Sequence, residues 1–479
     1  MSLPSRLICS GCGYKVGSTE PTPFRCPGAN TGSDTDHVLR RVLSPAALGT
    51  ADDLRKVFSA EPANPFIQYR LLLHSQAIGA ANGLDDLAYC VLAEGLDEAI
   101  ARVDGKGFHR TPLLQADELG TALGLDSGCL WVKNETGNVS GSHKARHLMG
   151  LMLWMEMARR VLPGAPDPAR QLAIASCGNA ALAAAVVARA ANRALDVFVP
   201  PWADPAVVER LTELRANLVS CPREDSTPGD PCFHRFRHAV EQGALPFTCQ
   251  GSENGLVIEG GKTLVWEIIS DLLAENREID HLFLQVGGGA LGSACMEGFR
   301  DARDLGVIER LPAFHTVQTT GASPLHRAWD AIMDKILLRH QSETGQAAPL
   351  LSDDSERALF VRDRVSPAMV HEELHFAATH RSQFMWPWEE EPKSIATGIL
   401  DDETYDWLAL AEGMLMTGGV PLVVSEDTLT QANQLARQNT EIPADPTGTS
   451  GLAGVLELRQ QEILPADETA AVLFTGVER

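Results

Sequence analysis

The segment Thr136-Gly-Asn-Val-Ser-Gly-Ser-His-Lys144-Ala-Arg146 holds the side chain best placed for covalent chemistry, a lysine where a helix should begin. It follows a strand-like run, Leu130-Trp131-Val132, and leads into the apolar stretch 148–157, which reads as a buried helix. Gly and Asn make the turn, Ser142 is the expected N-cap, and Lys144 falls in the first helical turn. There its amine meets free backbone N–H groups and the positive end of the helix dipole, a setting that favours a neutral nucleophile. The plain alternative is an exposed lysine on an ordinary helix start.

Three further segments pair a strand with a sharp turn. Ala173-Ile-Ala-Ser176-Cys177-Gly178-Asn179-Ala180 is a strand turning into an Ala-rich helix, with amides open to a carboxylate or phosphate. In Leu282-Phe-Leu-Gln-Val-Gly287-Gly288-Gly289-Ala290-Leu291-Gly292 a glycine loop between strand and helix can cradle a phosphate on its N–H groups. The run 470–474 reads as a buried strand that ends in Thr475-Gly476.

Taken in order, these segments resemble the fold-type II pyridoxal-phosphate enzymes of the threonine synthase and threonine dehydratase branch. The stretch 259–267 and Asp445-Pro-Thr-Gly-Thr-Ser-Gly-Leu-Ala-Gly454 are similar to other family segments, so the resemblance spans roughly 110–479. It implies a tryptophan synthase β-like fold, with two three-layer α/β domains and mostly parallel sheets. It also implies pyridoxal 5'-phosphate as cofactor, with Lys144 forming the Schiff base and moving the Cα proton. Asn179 would donate to the cofactor's phenolic oxygen. Gly287, Gly288, Gly289, Ala290 and Leu291 would present amides to its phosphate, and Thr475 would face the pyridine nitrogen. Ser176, Cys177 and Gly178 would grip the substrate carboxylate. A neutral hydroxyl at the ring nitrogen makes a weaker electron sink, which suits elimination and replacement.

The expected reaction is β-elimination or β-replacement on a small L-amino acid through an aminoacrylate. Threonine synthase chemistry, γ-replacement on O-phosphohomoserine, is the nearest alternative. Against it stands the lack of an obvious cationic cluster beyond Lys133, Arg146 and Lys262. A non-catalytic pyridoxal-binding protein and a nicotinamide oxidoreductase are the others. Gly287-x-Gly289-x-x-Gly292 fits the dinucleotide fingerprint, but the next strand, 314–320, ends without the acid that would bind a ribose. His143 stands where the family usually has Phe, and is either a contact for a substrate phosphate, a second base or a packing residue. Cys177 replaces a usual Ser or Thr, as an acidified thiol or a neutral spacer.

The elements around these residues are read from composition and pattern. At 479 residues with 44% hydrophobic and 22% charged content, the chain has room for several α/β cores. A net charge of −23 argues against nucleic acid or an anionic membrane as partner. The apolar stretch 172–188 is too broken to span a bilayer, and the first residues show no secretory pattern, so a cytoplasmic protein is expected. Ten cysteines then read as thiols. Of these, Cys9, Cys12 and Cys26 resemble the cysteine arm of many threonine synthases, with His37 completing a possible Cys3His zinc site; the alternative is a metal-free relic knuckle. The expected organisation is an arm at 1–45, a helical extension at 46–110, and the core at 111–479. Its smaller domain is roughly 140–255, and its larger domain 111–139 and 256–479. An insertion at about 324–392 has three readings: an active-site cap, an oligomer contact or, by default, a solvated excursion. A homodimer is the family's habit.

Overall fold

Apolar runs that end in glycine or proline become strands, and the computed structural model sets their order. It describes residues 3–30, 32–61, 64–223, 229–345 and 353–478; parts of the expected arm, extension, smaller domain and insertion (31, 62–63, 224–228 and 346–352) lie outside them. Near the N-terminus, β1 (Ser5–Cys9) and β2 (Leu39–Leu43) pair antiparallel. β3 (Leu113–Gln115) and β4 (Leu130–Asn134) follow. β5 (Leu172–Ala175), β6 (Leu195–Val199), β7 (Asn217–Ser220) and β8 (Leu245–Pro246) form a parallel sheet in the order β7-β6-β5-β8. β9 (His281–Gln285), β10 (Ala313–Thr319), β11 (Pro421–Val424) and β12 (Ala470–Phe474) then join the earlier pair in the order β11-β10-β9-β12-β4-β3. Only β3 runs against its neighbour in that sheet.

Two buried helices, Lys144–Val161 and Val257–Ala274, pack on each other beside the large sheet. Both are buried on nearly every face, and the ionic groups they carry, Arg146, Lys262 and Glu267 among them, meet buried partners. They meet where Gly150 faces Gly260; a Cβ on Gly150 would come within 2.7 Å of the Gly260 Cα, so side chains there would force the helices apart. The extension supplies helices Ala51–Phe58, His74–Ala81 and Asp86–Asp104 against this pair.

Two expectations are corrected. The helix begins at Lys144 with His143 in the cap position and no side-chain cap; Ser142 is extended at φ −161°, because its backbone bridges to Gly476 instead. The insertion is not a solvated excursion. Its helices Pro324–Thr344, Asp354–Arg364 and Pro367–Thr379 pack around helix Trp407–Thr417. Leu325, Trp329, Ile332, Met333 and Ile336 recur at helical spacing and are fully buried, a stripe the surrounding charges obscure in the sequence. Among the described residues no helix is long and apolar enough to cross a membrane.

Candidate active site

Three neighbouring parallel strands, β9, β12 and β4, bring their C-terminal ends to one edge of the large sheet. That edge is where open parallel sheets bind ligands, because loops diverge there and helix N-termini point inward. The loop after β4 carries Lys144, the loop after β9 is the glycine loop, and β12 runs directly into Thr475. The Lys144 loop is sewn to the end of β12: the His143 N–H donates to the Thr475 carbonyl at 3.3 Å, and the Val477 N–H to Gly141 at 3.1 Å. The second sheet delivers Ser176, Cys177, Gly178 and Asn179 from the end of β5. Helix Asn179–Ala190 starts at that turn without a side-chain cap, so its positive end faces the same edge. The Asn179 amide lies against Gly476, where an added Cβ would sit 2.9 Å from Nδ2. Lys144, Asn179 and Thr475, far apart in sequence, thus converge.

The glycine loop opens helix Ala290–Asp304, with Gly289 at φ 99°, a conformation side chains disfavour. Segment 398–406 lies over it. The Asp401 carboxyl rests on Gly287 and accepts from the Gly288 amide, Tyr405 packs on Gly288, and the Asp406 N–H donates to the Gly288 carbonyl at 3.1 Å. Burial pushes Asp401 up to about 6, against the pull of Lys144 and the Gly288 amide. Asp406, only 3% exposed, rises to about 8 through burial and the nearby charges of Asp36 and Glu297. Segment 249–255 closes the same side, with Gly251 against Asp406 and the half-enclosed Lys144 bearing electrostatically on Cys249.

His143 is 7% exposed, and burial holds it well below the usual histidine range, so it is a neutral ring. Its Nδ1 faces the Thr475 carbonyl at 3.4 Å, and Nε2 is buried without a partner among the described residues. His147 stands 5.8 Å away ring to ring, neutral for the same reason, with Nδ1 2.9 Å from the Val257 carbonyl. Burial, with Asp230 and Asp401 nearby, raises the Cys177 thiol, which favours the neutral spacer over an acidified nucleophile.

The three cations considered for a substrate phosphate are committed elsewhere. Lys133 pairs with Glu267 at 2.8 Å, Lys262 with Glu297 at 2.7 Å, and Arg146 with Glu135 at 2.9 Å and Glu267 at 2.7 Å. Carboxyl groups of Asp230, Asp401, Asp402 and Glu403 stand near one another beside the glycine loop.

In the N-terminal arm, the ligand atoms of Cys9, Cys12, Cys26 and His37 all lie within 4.8 Å of one another. Tetrahedral zinc with ~2.3 Å bonds to sulfur needs ligand separations of roughly 3.8 Å. Cys12 and Cys26 stand 3.6 Å apart, and Cys9 lies 3.5 Å from His37 Nδ1. His37 Nε2 meets Ser33 at 3.0 Å, the kind of outer contact that orients a ligand ring. The knuckle is tied to the insertion: the Asp36 N–H donates to Ala378 at 2.7 Å, and Arg381 joins Asp36 to Glu403.

Sequence reasoning missed Asp401, Asp406 and Gln285. The first two offered no spacing signal. Gln285 did: a polar residue ending the apolar strand His281–Gln285 must find buried partners.

The sequence matches the family described as pyridoxal-phosphate dependent enzyme over residues 106–372, more than half of the chain. A threonine synthase of Methanosarcina acetivorans is 22% identical over 369 residues, covering 76% of this chain and 74% of that protein. A threonine deaminase from T.th. superposes with TM-score 0.54 at 21% identity, over 81% of this chain and 98% of that one. Diaminopropionate ammonia lyase from Escherichia coli gives TM-score 0.53 at 14% identity, over 88% and 92%.

Proposed function

The chain belongs to the pyridoxal-phosphate dependent enzymes, in the fold-type II branch of threonine synthases and dehydratases, and from that premise we propose β-elimination or β-replacement on a small L-amino acid. The observation that carries this reading is the convergence of Lys144, Asn179 and Thr475 with the glycine loop at one sheet edge. These residues fit the cofactor. The Asp401 carboxyl on the Gly288 amide marks the loop as a seat for an anion, which the amides of 287–291 would offer to a phosphate. Bound there, pyridoxal phosphate supplies the electron sink that lets a Cα–H bond break.

The chain's own groups do the rest. Lys144 Nζ holds the cofactor and then takes the Cα proton. Asn179 would donate to the cofactor's ring oxygen. Ser176, Cys177 and Gly178, in the turn before helix Asn179–Ala190, receive the substrate carboxylate at the positive end of that helix. Residues of the neighbouring loops exclude water. The expected division into a smaller domain (140–255) and a larger one (111–139 and 256–479) would place this site between them. The small-substrate β reaction gains support from Lys133, Arg146 and Lys262 being spent in ion pairs, since a phosphorylated side chain needs free cations. The second reading, γ-replacement on O-phosphohomoserine, is favoured by the threonine synthase among the chain's relatives. We further propose zinc at Cys9, Cys12, Cys26 and His37, as a structural ion fastening the arm to the insertion.

Turnover with serine, threonine, cysteine and O-phosphohomoserine tests the reaction. Release of a 2-oxo acid or of a β-replaced amino acid is expected from one of the first three. Threonine formed from O-phosphohomoserine alone would establish the second reading instead.

A further inference from the structure

Resting on that reading, we infer that Gln285 is a positioning residue that fixes Thr475 as a hydrogen-bond donor toward the cofactor's ring nitrogen. Gln285 ends β9 and is 4% exposed; Thr475, just past the end of β12, is 2% exposed. Its Nε2 stands 2.6 Å from Thr475 Oγ1 and 3.1 Å from both the Gly448 and Leu473 carbonyls.

The amide's orientation follows from chemistry. Two carbonyl oxygens face it, and a carbonyl can only accept. Were Oε1 turned toward them, three oxygens would meet with no hydrogen for two of the contacts. Nε2 therefore points that way, one of its hydrogens going to Thr475 and the other shared between the carbonyls. Oε1 is left buried without a partner among the described residues.

A consequence passes to Thr475. Its oxygen already accepts from Gln285, so its own hydrogen must point elsewhere, and no acceptor among the described residues takes it. The residue's backbone is held too, its carbonyl accepting from the His143 N–H at 3.3 Å. A hydroxyl locked as donor offers its hydrogen to an unprotonated ring nitrogen. A freely rotating hydroxyl would also accept from a protonated one. Gln285 thus sets the protonation state of the ring without touching it.

The test is 15N NMR of ring-labelled pyridoxal phosphate bound to the wild type, Gln285→Leu, Gln285→Glu and Thr475→Ala proteins, with circular dichroism to confirm folding. The wild type should show the resonance of an unprotonated, hydrogen-bonded ring nitrogen. Gln285→Leu frees the hydroxyl to turn to the neighbouring carbonyls. The resonance should then move to that of Thr475→Ala, with cofactor affinity down about tenfold, the worth of one buried hydrogen bond. Gln285→Leu added to Thr475→Ala should shift it no further. Gln285→Glu, whose carboxylate accepts the threonine hydrogen, should move it toward the pyridinium position and supplies the second variant if the first fails to fold. A wild-type resonance in the pyridinium region, or a resonance unmoved by both Gln285 substitutions, overturns the inference alone. A wild type that takes up no cofactor overturns the functional reading, and this inference with it.

Discussion

Replacing Arg146 by methionine should destabilise the protein by about 3–5 kcal/mol, the cost of removing one partner from a buried ion pair. Arg146 is fully buried two residues after Lys144. It donates to Glu135 Oε2 and Oε1, both at 2.9 Å, to Glu267 Oε1 at 2.7 Å and Oε2 at 2.9 Å, and to Thr111 and Thr263, each at 3.1 Å. With Arg146 gone, Glu267 keeps Lys133 at 2.8 Å and the Thr111 N–H at 3.1 Å, while Glu135 keeps Asn138 at 2.8 Å and the Thr111 hydroxyl. Two cations facing two carboxylates become one facing two, in a region no water reaches. Methionine nearly preserves the packing volume, so the loss reports charge and not a cavity. Urea unfolding followed by tryptophan fluorescence measures it. Because the uncompensated charge belongs to Glu135, Glu135→Gln in the Arg146→Met background should restore more than half of the loss. A loss under about 1 kcal/mol, or a double variant no better than the single, would show that Arg146 does not neutralise Glu135 at a stability cost.

Asp401→Asn should tighten pyridoxal phosphate binding about tenfold, because a carboxylate beside the phosphate seat opposes a dianion. The variant's advantage should grow as pH rises through about 6, the value to which burial lifts Asp401, because the phosphate's own ionisation is common to both proteins; an advantage that does not change with pH would contradict this. Asp406→Asn should be more stable than wild type by an amount that grows with pH. The sign follows from its folded value of about 8 against an ordinary 3.8: both states are protonated below 3.8, and between 3.8 and 8 the folded protein must hold a proton that the unfolded chain releases, at a cost that grows with pH. The gain should reach about 4 kcal/mol at pH 7 and vanish at pH 3.5, read from urea midpoints at the two pH values. Zinc should be found at one atom per chain by elemental analysis. Its removal by a chelator, or Cys9→Ser, should lower the melting temperature by about 5 °C; a metal-free protein of unchanged stability would dismiss the site.

Much of the site was legible because each of its parts is local. A strand, a glycine or asparagine turn and a helix start mark Lys144, Asn179 and the glycine loop within ten residues each, and the apolar run before Thr475 marks β12. What spacing cannot encode is which distant segment lies over a loop. Asp401 reaches Gly288 across more than 100 residues, and the backbone bridge from Ser142 to Gly476 displaced the expected cap. The insertion's buried stripe was hidden for another reason: its charged residues face outward on the same helices, so average composition masks the periodicity. His37 was chosen by proximity to the cysteines, and the pairing of β1 with β2 is what carries it back to Cys9.

The central claim is that Lys144 carries the cofactor. Borohydride reduction of the purified protein incubated with pyridoxal phosphate, followed by peptide mass spectrometry, tests it most directly. One pyridoxyl group per chain is expected, on the peptide containing Lys144, and none in Lys144→Ala. Labelling of a different lysine, or no label in a wild-type protein saturated with cofactor, would contradict it.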